Sequence, residues 1–198
     1  MLKILGIKIR IRDKGGLYSN IQAVVVCNHQ HSFDLFIIGS ILPKGTVTLG
    51  KKGLLMIPFF GMLYWIAGNI LIERKKHKSA IKTMKYVGKI VVEKKISILI
   101  FPEGTRSWGH GLGKFKKGAF HLAMETGLPL RSVVISSIHK NIDIGRWNAG
   151  EVLIDVLPDI QLPKEREDVD DVIASIRGTF IDKINELDQN LLNHSRTA

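Results

Sequence analysis

Two residues in this chain have the types and spacing for acid–base chemistry: His29 and Asp34, five positions apart. A histidine is the side chain best suited to take and return a proton near neutral pH. A carboxylate beside it fixes the ring's tautomer and stabilises the imidazolium that forms during reaction. The segment around them, Val24-Val25-Val26-Cys27-Asn28-His29-Gln30-His31-Ser32-Phe33-Asp34-Leu35-Phe36, says how they would be held. The apolar run 23–27 reads as a buried strand that ends at a polar elbow. Ser32 is placed to N-cap a helix whose apolar face is Leu35, Phe36, Ile38, Ile41 and Leu42. His29 then lies just past a strand's C-terminal end. Asp34 lies in the first turn of the next helix, where the positive end favours a carboxylate.

The same residues admit other readings. A His–Asp pair can be purely structural. His29-x-His31-x-x-Asp34 also loosely resembles the HxHxDH ligand cluster of metallo-β-lactamase-type hydrolases. Here the aspartate comes one place late, and Leu35 stands where the next histidine belongs. Cys27, the chain's single cysteine, is close enough to His29 to be imagined as a nucleophile, but its place in an apolar run reads as a buried strand thiol.

Composition narrows the class. With 198 residues, 45% of them hydrophobic, the chain is long enough for one domain with a sizeable core and short for two. One cysteine excludes an intramolecular disulfide, so a reducing compartment is the default. The net charge of +11 calls for an anionic partner. Only 7% of residues are aromatic, and there is no RGG tract, zinc-finger spacing or RNP-like motif, so no nucleic-acid partner is expected. Lys3, Lys8, Arg10 and Arg12 break up any signal-peptide apolar core.

The rest of the chain alternates strand and helix patterns. Residues 5–12 read as an edge strand ended by Gly15-Gly16, and 46–49 as a short strand after a turn at Pro43 and Gly45. Residues 54–72, LLMIPFFGMLYWIAGNILI, are long enough to span a bilayer, but Pro58, Gly61, Gly68 and Asn69 argue against one continuous helix. The expectation is a helix over 54–66, then a strand over 69–73. That helix either rests partly on a membrane surface or is buried core. Residues 78–95 form an amphipathic helix with Ile81, Met84, Val87 and Val91 in one stripe, 96–101 a buried strand, and 115–126 a helix stopped by Gly127 and Pro129. Residues 133–137 and 152–157 are further strands. Residues 169–192 are a terminal helix with Ile173, Ile176, Phe180, Ile184, Leu187 and Leu191 on one face. The alternation predicts an α/β fold: a single domain over 1–198 with a mostly parallel twisted sheet flanked by helices. Function is expected at the strands' C-terminal ends.

A second group follows the 96–101 strand: Phe101-Pro102-Glu103-Gly104-Thr105-Arg106-Ser107. It too leaves a strand's C-terminal end and so can face His29. Gly104 lets backbone approach a ligand, Thr105 offers a hydroxyl, and Arg106 offers a planar donor fork suited to phosphate. Lys114, Lys116 and Lys117 follow, and Gly118 opens a helix. Taken alone, this is equally a Pro-Gly turn with solvated charges.

Together the pieces resemble the glycerolipid acyltransferase family, and within it the bacterial 1-acyl-sn-glycerol-3-phosphate acyltransferases. The matching blocks are Asn28-His29-x4-Asp34, Gly68-Asn69-Ile70-Leu71-Ile72-Glu73-Arg74 and Phe101-Pro102-Glu103-Gly104-Thr105-Arg106, in the family's order, across about residues 20–160. The chain departs from the family at His31, where a small polar residue is commoner, and at Glu73, where aspartate is. The fourth block reads Pro129-Leu130-Arg131-Ser132 without its second proline. Many relatives carry an N-terminal hydrophobic helical segment, and this chain starts without one, which leaves the mode of membrane attachment open.

The resemblance implies transfer of a fatty acyl chain from acyl-ACP or acyl-CoA to the sn-2 hydroxyl of lysophosphatidate, giving phosphatidate. His29 would be the base and Asp34 its orienting partner. Arg74, Arg106 and Lys117 would hold the phosphate, with Glu103, Gly104 and Thr105 shaping the glycerol end. With no GxSxG elbow, no acyl-enzyme is expected. No metal or tightly bound cofactor is expected either. A phospholipid–lysophospholipid transacylase of the same fold and a metal-dependent hydrolase are the alternatives. The expected setting is an anionic membrane surface on the cytoplasmic face of the inner plasma membrane, with the protein peripheral or shallowly inserted.

Overall fold

The computed structural model describes residues 2, 4–14, 16–19, 21–72, 77–143, 145–163 and 169–197, with the side chains of 77–81 and 195–197 left aside. In chain order its elements are β1 (Ile7–Asp13), β2 (Val24–Cys27), α1 (Asp34–Gly39), β3 (Thr46–Lys51), a 3-10 helix (Lys52–Met56), α2 (Phe60–Ile66) and β4 (Ile70–Ile72). They continue with α3 (His77–Glu93), β5 (Ser97–Ile100), α4 (Gly118–Thr126), β6 (Leu130–Ile135), α5 (Ile138–Asn141), β7 (Gly150–Val156) and α6 (Val169–Thr197).

The seven strands form one sheet in the order β1-β7-β6-β2-β5-β3-β4. Every neighbouring pair is parallel except β6 with β7. The mostly parallel α/β sheet expected from the alternation is therefore present. β2 lies at its centre between β5 and β6. Alternate residues of β2 feed two cores. Val24 and Val26 join Val87, Val91, Phe120, Leu122 and Phe180 on the α3, α4 and α6 side. Val25 and Cys27 join Ile37, Ile38, Ile41, Leu99 and Ile154 on the α1 side. A strand buried on both faces needs an unbroken apolar run, and residues 23–27 supply one.

The local differences from expectation have physical causes. Ser32 does not cap α1: the N-cap position is Phe33, without a side-chain hydrogen bond, and the Ser32 hydroxyl instead accepts from Arg106. The helix buries Ile37 and Ile38, with Ile41 buried just past it, while Phe36 faces outward and Leu35 is half-buried. The helix expected over 54–66 is two short ones, the 3-10 turn and α2. Pro58 has no N–H to offer and pushes Ile57 into extended backbone, which separates them. Phe115 is buried in the core ahead of α4, which opens only at Gly118. β6 begins three residues before its expected start. It carries Arg131 buried inside, its guanidinium paired bidentately with Asp159 at 2.7 Å and donating to Ser19. The short α5 was invisible in the periodicity because it is a single turn. Among the described residues, no helix is long and apolar enough to cross a membrane.

Candidate active site

At the C-terminal end of β2 the chain turns sharply, and one buried oxygen organises the turn. Asp34 is fully buried, and its Oδ2 accepts three hydrogen bonds: from the His29 ring Nδ1 at 2.7 Å, from Gln30 N–H at 2.6 Å and from His31 N–H at 2.9 Å. A carboxylate can only accept, so Nδ1 carries a ring proton, and in the neutral ring Nε2 is left with its lone pair. The ring is stacked on Phe101, centroids 4.1 Å apart and planes 20° apart, which restricts its rotation. Only 16% of the His29 side chain is exposed. The result is an imidazole held at both ring face and ring nitrogen, with one edge open.

The turn is also fastened to β6. The Asn28 side chain imitates a strand, donating to Ile135 O at 2.9 Å and accepting from Ile135 N–H at 2.8 Å. Gln30 donates to Ser136 O and accepts from Ile138 N–H. Asn28 and Gln30 were legible only as polar residues beside the histidine; that their amides substitute for missing ladder bonds is not.

From β5, the 101–113 loop closes on the same turn. Glu103 is buried, and its two oxygens accept from backbone: Oε1 from His29 N–H at 2.6 Å and Oε2 from Gly113 N–H at 2.8 Å. Ser107 N–H donates to His29 O at 2.9 Å, and Trp108 N–H to Gln30 O at 3.0 Å. Burial raises the Glu103 carboxyl above its ordinary range, and the two backbone donors and the nearby His29 pull it back. Glu103 is thus engaged in joining the two loops. Gly104 has φ +70°, and a Cβ there would meet the Lys116 ammonium at 2.7 Å, so this lysine lies against the glycine backbone.

Arg106 is exposed and held on two sides, donating to Ser32 Oγ and lying 4.8 Å from the centroid of the Trp108 ring. Trp108, itself at φ +52°, meets the His31 ring edge-on at 5.1 Å, and His31 stacks on Phe33. Thr105 is exposed beside Arg106. Lys117 turns elsewhere, pairing with Asp170 of α6 at 2.8 Å. Arg74 lies outside the described residues. The structure therefore brings His29, Asp34, Glu103, Gly104 and Arg106 together. It adds Lys116, Trp108 and Phe101, and it ties Lys117 to α6.

The alternatives meet the same geometry. His31 gives Asp34 its backbone N–H, while its ring is occupied by Phe33 and Trp108. Among the described residues, no three His, Cys, Asp or Glu side chains converge as a metal set. Cys27 is fully buried, and burial first, then the Asp34 and Glu103 charges, push its thiol well up, away from a reactive thiolate.

A central parallel sheet with a histidine–carboxylate pair at one strand end and an arginine-bearing loop at the next matches a known class. Residues 8–136 match the family model described as Acyltransferase, and the chain belongs to that family. Among its relatives, the 1-acyl-sn-glycerol-3-phosphate acyltransferase of Salmonella typhimurium is 37% identical over 98% of this chain and 80% of its own length. The Escherichia coli protein of the same name is 39% identical over 95% and 77%. The crystal structure of the 1-acyl-sn-glycerophosphate acyltransferase of Thermotoga maritima superposes with a TM-score of 0.71. It is 22% identical, covers 92% of this chain and 73% of its own, and shares the fold.

The Glu103 arrangement has a testable consequence. In Glu103→Gln the amide NH₂ must face one of two backbone donors. The variant should lose about 1–3 kcal/mol of stability at neutral pH in urea unfolding. Because the folded pKa is raised, this group's contribution is complete below the unfolded value and is lost as pH rises through the folded one. The variant should therefore lack that part of the wild-type decline across the weakly acidic range. A variant as stable as wild type, with the same pH profile, would remove Glu103 from this joining role.

Proposed function

We propose that this chain transfers a fatty acyl group from the thioester of acyl-ACP or acyl-CoA to the sn-2 hydroxyl of 1-acyl-glycerol-3-phosphate, giving phosphatidate. The observation that carries the reading is the His29 ring, held by Asp34 at 2.7 Å and stacked on Phe101 so that Nε2 is the free nitrogen. Nε2 takes the hydroxyl proton as the oxygen attacks the thioester carbonyl. The new ester C–O bond forms, the C–S bond breaks, and the imidazolium returns its proton to the departing thiolate. Asp34 holds the ring through this cycle and offsets the charge that appears on it. The hydroxyl attacks directly, without an acyl-enzyme.

Arg106 binds the acceptor phosphate with its fork, and Lys116 beside Gly104 adds a second cation. Arg74 is proposed as a further phosphate ligand on the family resemblance alone, and Lys117, paired with Asp170, is given no part. Glu103, Gly104 and Thr105 shape the glycerol end through the loop they build. The names of these relatives, 1-acyl-sn-glycerol-3-phosphate acyltransferase, support this acceptor. The setting that fits a lipid acceptor and a net charge of +11 is an anionic membrane surface, at the cytoplasmic face where acyl thioesters occur.

Thiol release coupled to phosphatidate formation tests the reaction. His29→Ala should lower turnover about 10²–10⁴-fold while remaining folded. Asp34→Asn should also lose turnover, yet keep lysophosphatidate binding, because its amide oxygen can still accept the three bonds. A folded His29→Ala protein with near-normal turnover would remove the base. Turnover only with an intact phospholipid donor would make the enzyme a transacylase, and loss of activity to chelators would make it a metal-dependent hydrolase.

Arg106→Lys keeps the charge and loses the fork. The KM for lysophosphatidate should rise, with a smaller change for monoacylglycerol as an uncharged acceptor. Equal impairment with both acceptors would assign Arg106 a structural part.

A further inference from the structure

Among the described residues, the segment between β3 and β4 carries the largest run of exposed apolar side chains. Met56 is 84% exposed, Phe59 80%, Ile66 64%, Trp65 63% and Leu63 62%, with Met62 close behind. Monomeric proteins rarely leave such a patch to water unless something binds there. The segment is not loosely attached. The Tyr64 hydroxyl bonds Thr48 of β3, Asn69 accepts from Thr48 N–H at 2.7 Å and donates to Tyr64 O at 2.9 Å, and Phe60 leans on Tyr64. The two short helices also touch through backbone: a Cβ on Gly61 would sit 2.5 Å from Leu54 O. The inner side is pinned and the outer side is greasy.

Its position matters. Register pairs Thr48 with Leu99, and Leu99 with Val25, so the three share a face of the sheet. That is the face covered by α1, whose first residue is Asp34. The apolar lobe therefore lies on the same side of the molecule as the helix that holds His29. Phe59 has φ +60° with its ring in solvent. A non-glycine residue held there without packing in return is strain without an internal compensation.

We propose that the Leu54–Ile66 lobe is a wedge that inserts into the head-group layer of an anionic bilayer. Residues 54–66 hold no charged side chain, so the lobe has nothing to match a polar protein surface. Lys51 and Lys52 stand exposed at its base, where lipid phosphates would lie as the apolar tip enters the acyl region. Trp65 has the amphipathic ring that favours that boundary. This proposal draws on the acyl-acceptor reading only for the reason a lipid surface would lie beside His29. Docking itself depends on the lobe.

Co-sedimentation of the full chain with phosphatidylcholine vesicles, with and without phosphatidylglycerol, tests it. Wild type should bind the anionic vesicles, and part of the binding should survive high salt, since salt screens the lysines and not the apolar term. Phe59→Ser combined with Trp65→Ser should weaken partitioning by about 30-fold or more. Its melting temperature should stay near wild type, and so should its turnover of a short-chain, water-dispersed lysophosphatidate. Vesicle binding equal to wild type would overturn the wedge. So would a large drop in melting temperature, which would make the lobe core, or concentration-dependent dimerisation through these residues without vesicle binding. A wild type that binds vesicles but never releases thiol would leave the wedge standing and remove the acyl-transfer reading.

Discussion

One oxygen atom, Asp34 Oδ2, sets the geometry on which the rest of the site depends. It accepts hydrogen bonds from the His29 ring Nδ1–H and from two backbone N–H groups of the intervening turn. Removing Asp34 would release a side chain and uncap a loop together. This explains why the carboxylate sits five residues from the histidine. The turn must be long enough to reverse direction and short enough that its own N–H groups reach the carboxylate. Burial strengthens each of the three bonds and raises the cost of leaving any of them unmade.

The sheet makes that turn a meeting point. β2 is central, and its two neighbours each send their following segment to it. From β6 come the Ile135, Ser136 and Ile138 backbone groups that hold Asn28 and Gln30. From β5 come Phe101 against the His29 ring and Glu103 against the His29 backbone. Arg106 reaches Ser32 from the same loop, so the cationic fork and the His29 ring rest on one hydrogen-bonded unit. A parallel sheet creates this automatically, because all three strands end on the same side. Helices on both faces then keep the strand ends from shifting, with Phe180 of α6 fully buried against Phe115 on one side.

Much of this was legible in the sequence. Unbroken apolar runs at 23–27 and 98–101 announce strands covered on both faces, and they form the central strand and its neighbour. The His29–Asp34 spacing and the Arg106 loop were legible because their chemistry requires particular residue types. What was not legible were details that depend on partners distant in sequence. Nothing local says that Ser32 would accept from Arg106 rather than cap α1, or that Lys117 would find Asp170, 53 residues away, and leave Lys116 over Gly104. The break at Pro58 was visible as a proline, and the sequence left the segment between a membrane surface and the core, but its division into two short helices was not legible. A pattern rich in apolar residues does not say which face finds a neighbour.

The central claim is that Asp34 holds His29 as the Nδ1–H tautomer with Nε2 free, and ¹⁵N NMR of the histidine-labelled protein reads this directly. In the neutral ring of His29, Nδ1 should show the shift of a protonated, hydrogen-bonded nitrogen and Nε2 that of a bare one. The pattern should change in Asp34→Ala, which removes the acceptor, while the resonances of His110 and His194 stay in place. A neutral His29 with its proton on Nε2 would contradict the account, because that nitrogen could not then accept the hydroxyl proton.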